Sequence, residues 1–99
     1  MGIWCLVVIS RRAIREFGEK HSDAVASLAV WFRTVSTADW NSTAELKATF
    51  RDADIVGEKT VFNIAQNRYR LIAFVAYKIR TVYVKEILTH REYDKGKWK

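Results

Sequence analysis

Residues 60–88 read TVFNIAQNRYRLIAFVAYKIRTVYVKEIL, and the reading of this stretch decides the fold. Three runs rich in Val, Ile, Tyr and Phe, namely TVFNIA, RYRLIAFVAY and TVYVKEIL, have the composition of strands. The breaks between them, QN and YKIR, are short enough for hairpins, so the three runs predict an antiparallel meander. Working back from it, DADIVGEK (52–59) reads as a turn. STAELKATF (42–50) reads as a short helix, with Ser42 and Glu45 as a capping box and Leu46 and Phe50 as an i, i+4 apolar pair.

Two further helices precede it. Ser10 is a reasonable N-cap for RRAIREFGEKH, where Ile14 and Phe17 share a face and Gly18 with His21 marks the end. Ser22 and Asp23 open AVASLAVWFRTVSTADW. There Val25, Leu28, Phe32 and Val35 form one apolar row and Ala24, Leu28, Trp31 and Val35 the adjoining one. The opening run IWCLVVI (3–9) reads as a buried strand added to the same sheet. It has no basic segment before it, no small-residue cleavage site after it, and too few residues to span a bilayer. The fold class is therefore α+β: an N-terminal strand, then two to three helices packed on one face of a small, mainly antiparallel, twisted sheet whose other face is partly open.

A chain of 99 residues fits one domain, 1–99, with one modest core. Apolar residues make up 49% of it and four are Trp, which excludes a disordered chain. The formal charge of +6 points to an anionic partner, such as nucleic acid, a membrane surface or an acidic protein. The basic excess is concentrated after residue 67, where Arg68, Arg70, Lys78, Arg80, Lys85, Arg91, Lys95, Lys97 and Lys99 face only Glu86, Glu92 and Asp94. A lone Cys5 forms no internal disulfide and suits a reducing cytoplasm. Two distant His and one Cys make no metal-ligand set, and no cofactor is implied. There is no helix-turn-helix or basic recognition helix for reading DNA.

Strand alternation places Arg68, Arg70, Ile72 and Phe74 on one side of their strand, and Val82, Val84, Glu86, Leu88 and His90 on one side of the next. Antiparallel pairing then brings His90 near the Arg68 and Arg70 pair, with Tyr93 one helical turn beyond His90. Cleavage of RNA without a metal needs a base for the 2′-hydroxyl, an acid for the departing 5′-oxygen and cations for the phosphoryl oxygens. His, Tyr, Arg and Lys supply those roles, Arg by its planar fork of donors. The same residues also have plain structural uses. A strand-end His is most often a polar rim residue, Tyr93 can pack its ring on the sheet edge, and strand arginines discourage aggregation. His21, near a helix end, reads as structural.

VISRRAIREF, ADWNSTAELKATF, VFNIAQNRYRL and THREYD together resemble the HigB family of bacterial type II toxins, within the RelE-like group of mRNA interferases. The resemblance runs from about Val7 to Asp94. Its most specific parts are Phe62-Asn63-Ile64, Asn67 with Tyr69-Arg70-Leu71, and Thr89-His90 with Glu92-Tyr93-Asp94. It implies a compact RelE-like fold, cleavage of mRNA on translating ribosomes, and inhibition by a cognate antitoxin. That antitoxin would be HigA-like with a helix-turn-helix, so that operator DNA is met only through it. By matched motif, His90 and Tyr93 become the acid–base candidates, and Arg68, Arg70 and Lys78 the phosphate contacts. Asn67 either positions substrate or shapes the hairpin, and Glu92 either orients His90 or faces solvent. Beyond the motif, Lys95 is within reach of phosphate, and DKGKWK promises little else for the site. The competing readings are a non-catalytic basic RNA-binding module and a protein-interaction module.

Overall fold

The computed structural model describes residues 6–9, 11–66, 68–96 and 98. The elements run β1 (Val7–Ile9), α1 (Arg11–Lys20), α2 (Val25–Ser36), α3 (Thr43–Thr49), β2 (Asp54–Val56), β3 (Lys59–Ile64), β4 (Tyr69–Ala76), β5 (Thr81–Thr89) and α4 (His90–Asp94). Ser10, Cys5 and Asn67, each given a role above, lie outside the described residues. None of the helices among the described residues is long and apolar enough to cross a membrane.

The predicted meander is present as β3, β4 and β5, within a five-stranded sheet of order β1-β5-β4-β3-β2. β1 joins it parallel to β5, and the remaining pairs are antiparallel. Two elements go beyond the sequence reading. Half of DADIVGEK is not turn but strand: Asp54 to Val56 pair with Lys59 to Val61 across Gly57, whose φ of 61° suits glycine. His90 also leaves the strand to open α4, because Thr89 N-caps it.

The helices cover one face. Of the two apolar rows on α2, Ala24, Leu28, Trp31 and Val35 enter the core, where Phe62, Ile64, Leu71 and Ala73 also pack, while Val25 is half exposed. Gly18 does not end its helix. It lies inside α1, where an added Cβ would stand 3.2 Å from a Val25 methyl, so it permits the close approach of α1 to α2. Ser42 N-caps α3 as expected, its hydroxyl accepting from the Glu45 N–H, but the expected capping box is only half made, because the Glu45 carboxylate accepts from the Asn41 N–H instead of that of Ser42. In β1 the expected burial alternates: Val8 is buried, and Val7 and Ile9 on its other side are 58% and 43% exposed.

The second face carries a smaller cluster, Val61, Ile72 and Trp98, against which Val56, Leu88 and Tyr93 pack. Leu88 reaches it because the β4–β5 register shifts between Ile72 and Ala73. Ile72 lies opposite Glu86 and Ala73 opposite Val84, so Lys85 is the extra residue. Such a bulge reverses the alternation beyond it. Val82 and Val84 therefore face the helices, and Leu88 faces the other way, opposite Arg70.

Candidate active site

The end of β5 is where chemistry-bearing residues gather. Thr89 and Glu92 form a complete capping box. The Thr89 hydroxyl accepts from the Glu92 N–H at 3.2 Å, and the Glu92 carboxylate accepts from the Thr89 N–H at 2.9 Å. The helix begins there because the motif T-x-x-E satisfies both orphaned donors. Its first residue, His90, donates its backbone N–H to the Arg68 carbonyl at 3.0 Å, so α4 is fastened to the turn that precedes β4. Its imidazole Nε2 lies 3.3 Å from an Asp94 carboxylate oxygen, with both side chains well exposed. That contact leaves Nδ1 open to solvent chemistry.

Tyr93, one turn along, is half-buried between chemically different partners. The Arg70 guanidinium carbon sits 5.2 Å from its ring centroid. The Trp98 indole stacks with it at 4.9 Å and 13°. Trp98 is 5% exposed and is fixed twice more: its indole N–H donates to the Tyr93 carbonyl at 2.9 Å, and its own carbonyl accepts from Lys59 Nζ. The tail, expected to add little, thus supplies the packing behind Tyr93. Nothing in THREYD signals Trp98; its only cue is a tryptophan in a short lysine-rich terminus.

The Arg70 guanidinium meets the Tyr93 ring, and His90 stands one turn before Tyr93 on α4, while three other candidates do not join them as expected. Arg68 does not stand beside Arg70. Its guanidinium pairs with Asp23 at 3.0 Å, and only its carbonyl touches α4. Glu92 is exposed and does not orient His90: its carboxylate is taken up by the cap, and Asp94 is the acid beside the imidazole. Lys78 lies in the 3-10 turn Tyr77–Ile79 at the opposite end of β4. The eight residues of that strand put it roughly 25 Å from the His90 end at about 3.3 Å per residue. Lys95, the exposed C-cap of α4, stays near the site.

Sequence reading missed Asp23. It precedes α2, where an N-terminal acid is ordinary, yet one of its oxygens accepts from the Tyr69 hydroxyl at 2.6 Å and the other from Arg68 at 3.0 Å. The Tyr69 bond, then the Arg68 bond and charge, hold its carboxyl below the usual carboxylate value, while the Asp23 bond and burial push the Tyr69 phenol up. Phe17 and His21 complete this ring cluster around Tyr69, with centroids 5.1 Å from it, so His21 is structural.

The chain is 28% identical over 90 residues to the mRNA interferase toxin HigB of Escherichia coli K12, covering 88% of this chain and 86% of the relative. It has the same identity and coverage with the mRNA interferase HigB of Shigella flexneri. It is 25% identical over 91 residues to the mRNA interferase HigB of Escherichia coli O6:H1, covering 89% and 88%. The HigB_toxin family model matches residues 24–96, from the start of α2 past the end of α4. The chain belongs to the HigB toxin family, the RelE-like toxic component of a toxin–antitoxin system.

Proposed function

We propose that this protein, read as one toxin domain over residues 1–99, is an endoribonuclease that cleaves translated mRNA on the ribosome by metal-independent attack of the 2′-hydroxyl. The observation that carries the reading is Arg70 against the Tyr93 ring at the end of β5, with His90 one turn before Tyr93 on an α4 that is capped and tied to the β3–β4 turn. The names of its relatives, mRNA interferases, supply the substrate class.

In this mechanism one member of the His90 and Tyr93 pair takes the proton of the 2′-hydroxyl, and the other delivers one to the departing 5′-oxygen. Asp94 steadies the imidazole through Nε2. Arg70 meets the charge that builds on the phosphoryl oxygens. Arg68 can contribute by exchanging Asp23 for a phosphate, and Lys95 by screened attraction at the rim. Asn67 is a substrate contact in the same proposal.

Family membership implies a cognate antitoxin. The proposal assigns it a HigA-like helix-turn-helix, contact with operator DNA only through that subunit, and action in the cytoplasm. The test is induction in bacteria of wild type and His90→Ala at matched soluble levels, with mRNA ends mapped. Growth arrest and new ends within translated messages in wild type alone support the reading. Equal behaviour of the two, or ends in untranslated RNA, contradicts it.

A further inference from the structure

The sheet face turned away from α1 and α2 carries more than the site at its end. One cross-strand row on it runs Ile9, Tyr83, Phe74 and Lys59, each opposite the next in the register of β1, β5, β4 and β3. Alternation sets Phe74 and Lys59 on the same face as Ile72 and Val61, which belong to the cluster beneath Trp98. The Phe74 and Tyr83 rings lie 6.1 Å apart at 29° and are half-buried, so part of the pair reaches solvent. Lys85, thrown out by the bulge, holds its ammonium 5.8 Å from the Tyr83 centroid. At the other end of the row, Lys59 lies 5.9 Å from the Trp98 centroid. Among the described residues, the tail and α4 pack over the rows nearer Arg70, and Trp98 reaches this one at its Lys59 end, where its carbonyl accepts from the Lys59 ammonium.

An aromatic pair flanked by ammonium groups on an open sheet suits unpaired bases on a polyanionic backbone, since every base has a face to stack and every nucleotide a charge. A protein partner would meet this row with apolar side chains, for which the flanking lysines are a desolvation cost. The adjoining row carries the exposed Glu86 opposite Ile72, which favours phosphates at the lysine-bearing margins over the middle of the sheet. Phe74 stands four residues along β4 from Arg70, roughly 13 Å, a distance that a short extended stretch of single strand covers.

We propose that Phe74 and Tyr83, with the exposed Lys85 beside them, form a base-stacking subsite for the single-stranded RNA flanking the cleaved bond. The subsite deepens the ribonuclease reading and rests on it. The test measures affinity for a fully 2′-methoxy oligouridylate trimer and nonamer by fluorescence anisotropy, in wild type, Phe74→Leu, Tyr83→Leu, Tyr83→Phe, Lys85→Gln and His90→Ala.

Wild type and His90→Ala should gain affinity on going from trimer to nonamer. Each Leu variant should lose about ten-fold on the nonamer, the order expected for one stacked base, with the trimer little changed. Tyr83→Phe should keep the gain, and Lys85→Gln should flatten the salt dependence. Leu variants that bind the nonamer as wild type does overturn the subsite alone. If the same variants change sedimentation, the row is a protein contact instead. Failure of wild type to bind either RNA overturns the subsite, whereas the ribonuclease reading stands or falls by the mapped mRNA ends. Exposed Lys85 leaves the salt-dependence result independent of any folding defect in the ring variants.

Discussion

Asp23 shows how much of the site is arranged by a residue outside it. Its carboxylate holds the Tyr69 hydroxyl and the Arg68 guanidinium, and the Arg68 carbonyl in turn holds the first N–H of α4. The depressed Asp23 carboxyl contributes stability that is fully present above its ordinary value of 3.8 and is lost as pH falls through the lower folded value. The raised Tyr69 phenol contributes below its ordinary value of 10.0, and that part is lost as pH rises through the higher folded value. Tyr69→Phe should therefore be less stable than wild type in urea unfolding at pH 7, with the gap narrowing below about pH 4 as Asp23 takes up its proton. A gap unchanged at pH 2 would show that Tyr69 acts through packing alone. None of this was legible from residues 46 positions apart, where an acid before a helix reads only as an N-terminal acid.

At the scale of elements, what the sequence announced was what local pattern controls. The three Val- and Tyr-rich strands, the Ser42 cap of α3 and the apolar row of α2 each follow from spacing within one segment. β2 did not, because Asp54-Ile55-Val56 becomes a strand only by pairing with β3. The bulge at Lys85 has no signature in TVYVKEIL, yet it decides which face Leu88 takes and lets Lys85 stand over Tyr83. α4 and its tail show the same division. T-x-x-E marks the start of the helix, but Trp98 finds its place only against Val61, Ile72 and Tyr93. Trp98→Ala should cost about 3 kcal/mol in stability, the usual scale for emptying a buried aromatic site. Thermal melting with a cleavage assay checks this, and activity should fall even at temperatures where the variant stays folded, because Tyr93 loses its stacked neighbour. Full activity at unchanged stability would mean that the tail does not support the site.

For the whole molecule, the sheet divides labour between its faces. One is filled by α1 and α2 and holds most of the core, and the other presents the small cluster, the site and the aromatic row. A chain this short has little stability to spare, so side chains such as Tyr93 and Trp98 serve packing and site together. The sequence made it legible that the end of β5 lies beside the start of β4, because antiparallel pairing dictates it, but not that the Lys85 bulge and the Thr89 cap take His90 out of the strand alternation. It could not show that Arg68 is held by Asp23, or that Lys78 sits at the far end of the strands, since both depend on where turns aim their side chains. The central claim is that His90, Tyr93 and Arg70 cleave RNA through its own 2′-hydroxyl. Its most direct test is end-group analysis of ribosome-bound mRNA cut by purified wild type, His90→Ala and Tyr93→Ala, before and after EDTA treatment of the toxin. The account predicts 2′,3′-cyclic phosphate and 5′-hydroxyl ends, indifference to the chelator, and rates at least about a hundred-fold lower in both variants. Ends with 3′-hydroxyl and 5′-phosphate, or a His90→Ala protein that cuts as fast as wild type, would contradict it.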